Sequence, residues 1–262
     1  MTRAVRLRAI NAIFFIASSL YLSGATGLFC CNAQAQGTPA AAPRLQPFSS
    51  AAEGPPPAPW RVIGLPGSSK PLTQFDVVPL GEERVLRVRA DHSYANLSHR
   101  LPPGTPVGRL QWRWRLDLPV QDADLRTRKG DDIPIKVCAL FDLPLEKLGF
   151  VERNLLRVAR SASGEHLPGA TVCYVWDQKL TVGTELPSPF TQRLSYVVLE
   201  SGSTPLKTWT QHTRDLRADF LRSFGAVTDE VPPLLAIAVG ADADNTASSS
   251  LAYVGDLQLL PP

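Results

Sequence analysis

Apolar and polar residues alternate along several short stretches of the chain. The clearest stretch runs from Arg109 to Leu116, where every second residue is apolar. Because successive side chains of a β-strand point to opposite faces, this pattern predicts a strand with one buried face. The buried face would carry Leu110, Trp112, Trp114 and Leu116, and the other face would carry Arg109, Gln111, Arg113 and Arg115.

Further strands are predicted where short apolar runs lie between turn-forming residues. Gly, Pro, Asn and Asp separate these runs, because they favour the backbone conformations that turns require. On this basis we predict strands at 85–90, 133–142, 170–177, 193–201, 233–241 and 251–260.

Two segments have the spacing of a helix instead. Apolar residues recur every three or four positions in 145–160. We expect one face of this helix to meet the core, with Leu148, Val151, Leu155, Leu156 and Ala159. A second helix is predicted over 214–224, because Gly225 is a common residue just after a helix. Many short strands with one or two short helices indicate a mostly β fold. We predict an antiparallel sandwich of two sheets that is jelly-roll-like.

Residues 1–35 have the layout of a secretory signal peptide. Three arginines and no acidic residue precede an apolar run over 9–31, which is followed by the small-x-small site at 33–35. Signal peptidase cleaves after such a site, and the basic end stays in the cytoplasm. We therefore predict a cleaved signal peptide and a periplasmic or secreted location. The alternative is a retained membrane anchor, since the apolar run is long enough to span a bilayer.

The remainder of the chain divides into a tether and one domain. Residues 36–59 are rich in Pro, Ala and Gly, a composition that predicts an extended tether without a core of its own. Residues 60–262 are long enough for a single β-sandwich domain with one sizeable core.

The charge of the predicted mature chain is balanced. The whole chain has 27 basic and 24 acidic residues, and three of the basic residues lie in the signal peptide, which leaves 24 of each sign. This balance gives no electrostatic surface for nucleic acid or for an anionic membrane. We therefore expect no nucleic-acid partner, and no membrane association once the signal peptide is removed.

Two cysteines, Cys138 and Cys173, lie outside the predicted signal peptide. An oxidising compartment permits a disulfide bond between them, and both lie in predicted strands. If those strands are neighbours, a bridge would stabilise the fold by roughly 3–4 kcal/mol, because it lowers the entropy of the unfolded chain. Two buried free thiols are the alternative. The sequence has no cysteine or histidine spacing typical of zinc.

Six spaced segments of the domain share their order with a known protein family. They are Leu110–Asp117, Ala123–Asp132, Tyr174–Trp176, Ser188–Thr191, Arg214–Phe220 and Asp242–Thr246. Over roughly residues 48–260 the chain resembles the uncharacterised exported bacterial family called domain of unknown function 3047. The resemblance implies an exported, jelly-roll-like β-sandwich and brings no established activity. Cys138 and Cys173 depart from the pattern that the resemblance leads us to expect, which fits a disulfide particular to this protein.

Charged and aromatic residues of the domain are candidates for a ligand site. The planar guanidinium of arginine donates paired hydrogen bonds to carboxylates, phosphates and sulfates. Tryptophan rings stack on the faces of sugars. The charged loop at 122–132 either lines a polar groove or is a solvated turn whose carboxylates pair with the arginines. Trp112 and Trp114 are expected to fill the core. The predicted binding residues are Arg113, Arg115, Asp124, Arg126, Asp131, Asp132 and Trp209.

Asp242, Asp244 and Asn245 place three oxygen ligands in one turn. Calcium prefers such hard oxygens, but Ala247 and Tyr253 replace the glycine and the distal glutamate of a helical calcium loop. Asp and Asn also cap turns by bonding their own backbone. The turn is therefore predicted to be either a structural calcium site or a capped turn, and no other cofactor is expected.

The sequence lacks the common catalytic motifs. It has no G-x-S-x-G elbow, HExxH pair, P-loop or GxGxxG loop, and its four histidines are expected in polar loops. We therefore expect a non-catalytic, exported binding module for an envelope or extracellular saccharide. A carboxylate pair such as Asp131 with Asp242 would instead support a glycoside hydrolase or lyase. A structural protein of the envelope is the third hypothesis.

Overall fold

The computed structural model describes residues 43–65, 67–163, 166–204 and 206–262. The predicted signal peptide and the first part of the predicted tether lie outside the described residues. The described residues form one compact unit, which contains thirteen strands and two α-helices.

Every predicted strand and helix overlaps an element of the structure. The strands are β1 (Arg61–Ile63), β2 (Gln74–Leu80), β3 (Glu83–Asp91), β4 (Tyr94–Thr105), β5 (Arg109–Leu118), β6 (Lys136–Phe141), β7 (Ala170–Asp177), β8 (Glu185–Ser188), β9 (Thr191–Ser201), β10 (Thr210–Asp215), β11 (Leu234–Asp242), β12 (Ser249–Val254) and β13 (Gln258–Leu260). Helix α1 (Phe150–Ser163) connects β6 to β7, and helix α2 (Leu216–Phe224) connects β10 to β11. Five of these strands, β1, β2, β4, β8 and β10, were not predicted. The mostly β prediction is confirmed.

The strands form two sheets. The seven-stranded sheet has the order β1-β4-β11-β6-β7-β9-β8, and the six-stranded sheet has the order β10-β5-β12-β3-β2 with β13 also paired to β5. Neighbouring strands are antiparallel, except that β7 and β9 run parallel. The predicted two-sheet sandwich is therefore confirmed, with one parallel pair that the sequence did not indicate.

The core lies between the two sheets. Trp112 and Trp114 of β5 are fully buried, and their ring centroids lie 5.7 Å apart. The ring of Trp112 also lies 5.1 Å from the ring of Tyr174 on β7, in the facing sheet. These contacts confirm that the tryptophans fill the core, while Arg113 and Arg115 lie on the outer face of the six-stranded sheet.

The packed part of the chain begins before the predicted boundary at Trp60. Leu45 and Phe48 are buried in the same core. Asp256 accepts hydrogen bonds from the backbone N–H groups of Phe48 and Ser49, at 2.7 and 3.0 Å. The described part of the predicted tether is thus docked on the sandwich. Burying one phenylalanine stabilises such a contact by roughly 1.5–3 kcal/mol, which helps to hold a Pro-rich segment in place.

Helix α1 meets the core with only part of the apolar face that the sequence predicts. Val151 and Leu155, which we expected in the core, are exposed. The carboxylate of Glu152 accepts a hydrogen bond from the hydroxyl of Thr191 at 3.0 Å and one from Arg193 at 2.9 Å. These bonds hold one side of the helix against β9. Leu156, on that same side, is fully buried in the core as predicted, whereas Val151 and Leu155 point into solvent.

Candidate functional site

The outer face of the seven-stranded sheet carries a groove of about 560 Å³. Alternate residues of each strand point away from the core, and those of β4, β11, β6, β7 and β9 build the floor of this groove. Most of the floor is made of small or apolar side chains. They include Cys138, Leu140, Cys173, Ala236 and Ala238.

A disulfide bond lies in the floor of the groove. It joins Cys138 of β6 to Cys173 of β7, which stand directly opposite each other in the antiparallel pair. The sequence allowed either a disulfide bond or two free thiols at these positions, and the structure contains the disulfide bond. Because the two cysteines are 35 residues apart in sequence, the bridge closes a loop that includes helix α1.

One end of the groove is polar, and we call it the polar end. It is defined by Tyr94, Asp131, Lys136, Tyr196 and Asp242. The ammonium of Lys136 donates to Asp242 Oδ1 at 3.0 Å and lies 4.9 Å from the centre of the Tyr94 ring. The hydroxyl of Tyr196 donates to Asp131 Oδ2 at 3.1 Å. The polar end thus brings a cation, two carboxyl groups and two phenol rings together.

Two buried acceptors near the polar end have no hydrogen-bond partner among the described residues. They are Asp131 Oδ1 and Asn96 Oδ1, and both residues line the groove. The amide nitrogen of Asn96 donates to the hydroxyl of Tyr94 at 3.0 Å. Buried polar atoms normally have partners, so these two oxygens have unused capacity to accept hydrogen bonds, although both are shielded from solvent.

The polar end shifts the pKa values of its charged groups. Burial raises the pKa of Asp131 to about 6, although Lys136 and the Tyr196 hydroxyl oppose the rise. Burial likewise raises the pKa of Asp242 to about 7, against the opposing charge of Lys136. Burial alone would lower the pKa of Lys136, but the nearby Asp242 raises it. The lysine therefore stays protonated beside carboxyl groups with raised pKa values, a combination that is common at functional sites.

The residues predicted to hold calcium border the polar end. Carboxylate oxygens of Asp132, Asp242 and Asp244 lie within 4.8 Å of one another. Asp132 joins this cluster although it was not among the predicted metal ligands. Asn245 donates its backbone N–H to Asp132 at 3.1 Å and its side-chain amide to the Asp131 carbonyl at 3.0 Å. Asp132 also accepts a hydrogen bond from the backbone N–H of Thr246 at 2.7 Å. Asp132 therefore fixes the turn, in the manner of a capping carboxylate.

Two lysines supply positive charge to this acidic cluster. Lys136 is bound to Asp242, and Lys70 is bound to Asp244. An ammonium group at each carboxylate neutralises the charge that a calcium ion would otherwise balance. The oxygen ligands suit calcium by type, but a calcium ion would have to compete with both lysines.

The other predicted binding residues lie away from the groove. Arg113 forms an ion pair with Glu83 on the six-stranded sheet, and its guanidinium lies 4.8 Å from the centre of the Trp209 ring. A smaller cavity of about 190 Å³ opens beside Arg113. Arg115 donates to Asp117 at 2.6 Å. These arginines therefore pair with neighbours on or near their own sheet, and not with the 122–132 loop as the alternative interpretation expected.

The predicted binding residues thus do not form one surface. Asp124 and Arg126 pair with each other at 2.8 Å on an exposed loop. Asp131 and Asp132 are buried beside the groove. The seven residues are divided because the two sheets of a sandwich point their outer side chains in opposite directions. Arg113, Arg115 and Trp209 belong to one outer face, and Asp131 and Asp132 belong to the other.

The far end of the groove carries its larger apolar side chains, and we call it the apolar end, although Arg100, His166 and Arg193 also line it. It is defined by Leu140, Leu167, Phe190 and Leu194. Strand register separates the two ends, because Lys136 lies opposite Gly240 of β11 whereas Leu140 lies four residues further along β6. The groove is therefore amphipathic along its length.

The family described as protein of unknown function (DUF3047) matches residues 58–258. The chain belongs to this family. Among proteins of curated function, none matches the DUF3047 chain in sequence.

Solved structures that resemble the DUF3047 chain are distant. The family 11 carbohydrate-binding module of a Clostridium thermocellum cellulase has a TM-score of 0.38 and 12% identity, covering 84% of this chain and 94% of that one. The xyloglucanase domain of NopAA from Sinorhizobium fredii has a TM-score of 0.40 and 8% identity, covering 78% and 99%. Endoglucanase 3 of Trichoderma harzianum, from glycoside hydrolase family 12, has a TM-score of 0.37 and 9% identity, covering 78% and 97%. Likeness of this degree does not identify a ligand.

Three residues of the polar end were not predicted from the DUF3047 sequence. They are Tyr94, Lys136 and Tyr196, which the structure places around the two carboxyl groups. Lys136 could have been identified from the sequence, because it lies within an otherwise apolar run. A lysine buried in a strand is costly unless it is paired, and its position therefore indicates a partner such as Asp242.

The histidines of the DUF3047 chain are not all in polar loops, as we had expected. His99 lies buried in β4, where burial lowers its pKa. His212 lies in β10 and contacts the rings of Trp112 and Trp114, and burial lowers its pKa to about 4. Both are neutral packing residues at neutral pH. Neither lines the groove.

Helices of the described chain are too short or too polar to cross a bilayer.

Proposed function

We propose that the groove of this DUF3047 chain binds a saccharide of the cell envelope or the extracellular space. The observation that carries the proposal is the pair of unpartnered acceptors, Asp131 Oδ1 and Asn96 Oδ1, buried in a groove beside two phenol rings. The volume of about 560 Å³ lies within the range of roughly 300–1,000 Å³ that is usual for small-molecule sites.

The chemistry of the polar end suits a sugar ring. Sugars offer hydroxyl groups at their edges and C–H groups on their faces. Asp131 and Asn96 would accept from hydroxyl groups, and Lys136 would donate to a ring or hydroxyl oxygen. The half-buried ring of Tyr94 provides a flat surface for the C–H groups, whereas the buried Tyr196 holds Asp131 through its hydroxyl.

Export is the second half of this proposal. It is supported by the signal-peptide layout of residues 1–35, and a disulfide between Cys138 and Cys173 is typical of an oxidising compartment. Cell fractionation of the expressed chain, followed by N-terminal sequencing, would test it. We expect a mature protein outside the cytoplasm that begins near residue 36, whereas an unprocessed cytoplasmic chain would contradict export.

The binding proposal is tested with the compact unit, residues 40–262. Isothermal calorimetry would screen neutral, amino and acidic oligosaccharides of the envelope, and we expect at least one to bind. The variants Asp131→Asn and Asn96→Ala should weaken that binding by about tenfold each, since each loses one or more hydrogen bonds to the ligand. Arg115→Ala, on the opposite sheet, is the matched control. No binding at millimolar saccharide would contradict the proposal.

A second candidate function, glycoside hydrolysis, is favoured by one specific observation. Asp131 and Asp242 line the same end of the groove, as the carboxylate-pair hypothesis requires. In such a reaction one carboxylic acid gives its proton to the glycosidic oxygen, and the other carboxylate takes a proton from the attacking water. Assays of reducing-end release with the saccharide that binds would test it. Asp242→Asn should abolish turnover, and a chain that binds but never cleaves would leave binding alone as the function.

A further inference from the structure

Helix α1 exposes an apolar surface that nothing in the described structure covers. Val151, Leu155 and Val158 share one face of the helix and are 67%, 58% and 68% exposed. Phe150, at the first turn, is 71% exposed. We call these four residues the α1 stripe. A contiguous apolar surface on a folded domain usually marks a contact with a partner or a membrane.

Arginines accompany the α1 stripe. Arg157 is exposed and has no ion-pair partner among the described residues. The guanidinium of Arg153 lies 5.9 Å from the centre of the Phe150 ring. The single acidic residue of α1 is Glu152, and it is already paired with Arg193 at 2.9 Å. The helix therefore presents an apolar face together with net positive charge, although the predicted mature chain as a whole is balanced.

A second aromatic residue lies close to the start of the helix. Phe190 is 54% exposed, and the guanidinium of Arg128 lies 5.4 Å from its ring centre. Thr191, the next residue, donates to Glu152 of α1 at 3.0 Å. The basic and apolar character of the helix thus continues onto the adjoining turn.

Although the balanced net charge led us to expect no membrane association, we propose from the local charge and apolar area of the helix that the α1 stripe docks on the surface of an anionic lipid bilayer. An amphipathic helix with arginines and aromatic residues binds the lipid interface by burying its apolar side chains and by attracting anionic headgroups. A second copy of the chain is a poorer occupant. In a two-fold dimer the same patch meets itself, which would bring Arg153 and Arg157 of both copies together.

The position of the α1 stripe relates it to the groove. Arg160 of α1 donates to the backbone carbonyl of Leu167 at 2.9 Å, and Leu167 belongs to the apolar end. A docked helix would therefore set the apolar end next to the bilayer and leave the polar end further away. If the proposed saccharide binding also holds, this arrangement favours a lipid-linked saccharide, with its sugar at the polar end. That last step rests on the proposed function, whereas the docking itself does not.

Vesicle flotation of residues 40–262 tests the docking. We expect the protein to float with vesicles of phosphatidylethanolamine and phosphatidylglycerol, and to float less as the salt concentration rises. The double variant Leu155→Gln/Val158→Gln should lower this partition by about tenfold or more, because it removes apolar area that lipid would bury. The matched control Leu72→Gln/Val182→Gln changes two exposed apolar residues elsewhere and should have no effect.

Several results would overturn the docking proposal. They are absence of flotation with phosphatidylglycerol vesicles, equal flotation with vesicles of phosphatidylcholine alone, or unchanged flotation of the double variant. A dimer in gel filtration that the double variant dissociates would assign the stripe to a second copy instead. Thermal unfolding confirms that each variant is folded. Calorimetry with a saccharide is expected to give the same affinity for the double variant, so failure of docking and failure of saccharide binding are separate outcomes.

Discussion

Lys136 and Asp242 form a buried ion pair in the floor of the groove, with 3.0 Å between Nζ and Oδ1. They belong to adjacent strands, β6 and β11, and both side chains point away from the sandwich core. The Tyr94 ring covers the ammonium from β4, at 4.9 Å. Three strands that are distant in sequence therefore supply the charged part of the polar end.

Breaking this pair on one side should be costly. Lys136→Met leaves the buried carboxyl of Asp242 without its cation, and we expect a loss of about 3–5 kcal/mol in the free energy of unfolding. Urea denaturation measures the loss. The double variant Lys136→Met/Asp242→Leu removes both charges and should recover most of the stability. A loss of less than about 1 kcal/mol in the single variant would show that the pair is unimportant.

The disulfide bond should contribute measurably to stability. Cys138→Ser/Cys173→Ser is expected to lower the free energy of unfolding by about 3–4 kcal/mol, because the unfolded chain gains the freedom of a 35-residue loop. Reducing agent should destabilise the wild-type chain by a similar amount and leave the double variant unchanged. An unchanged thermal unfolding midpoint of the wild-type protein in reducing agent would contradict this prediction.

The pH dependence of stability should reveal the buried carboxyl of Asp131. Its pKa in the folded state is raised to about 6, so the folded chain favours the protonated form. The contribution of Asp131 to the free energy of unfolding is fully present below the unfolded pKa of about 4. It is lost as the pH rises through the folded pKa of about 6. Asp131→Asn cannot ionise, and it should become more stable than wild type by up to about 3 kcal/mol between pH 4 and pH 7. Parallel stability curves for the two proteins over that range would refute the assignment.

Calcium is expected to have little effect on the folded chain. Lys70 and Lys136 already neutralise two carboxylates of the acidic cluster, so chelation should leave the thermal midpoint unchanged. Thermal scans with calcium and with a chelator provide the measurement. A rise in the midpoint with calcium that Asp244→Asn removes would establish a metal site in spite of the lysines.

The orientation of β5 could be predicted from the sequence because one face of the strand is apolar and the other is polar. Alternation from Leu110 to Leu116 predicts which side meets the core, and the structure agrees. The groove was harder to foresee. Strands β6 and β11 are covered on both faces, so Cys138 and Ala238 are as apolar as their neighbours and no alternation separates groove from core.

The polar end could not be assembled from the sequence either. Tyr94 lies opposite Asp242 through the pairing of β4 with β11, and Lys136 joins them through β6. Such register is a property of long-range pairing, which local patterns do not encode. For α1 the pattern showed an apolar stripe with Val151 and Leu155, but periodicity alone does not say whether a stripe meets the core, a partner or a membrane.

We propose that the saccharide site lies in the groove and not on the outer face of the six-stranded sheet. Calorimetry with the same oligosaccharide distinguishes the two positions through the variants Tyr94→Ala and Trp209→Ala. Tyr94→Ala should weaken binding by about tenfold or more through the loss of a stacking ring, while Trp209→Ala should bind like wild type. Weaker binding by Trp209→Ala with unchanged binding by Tyr94→Ala would contradict the proposal.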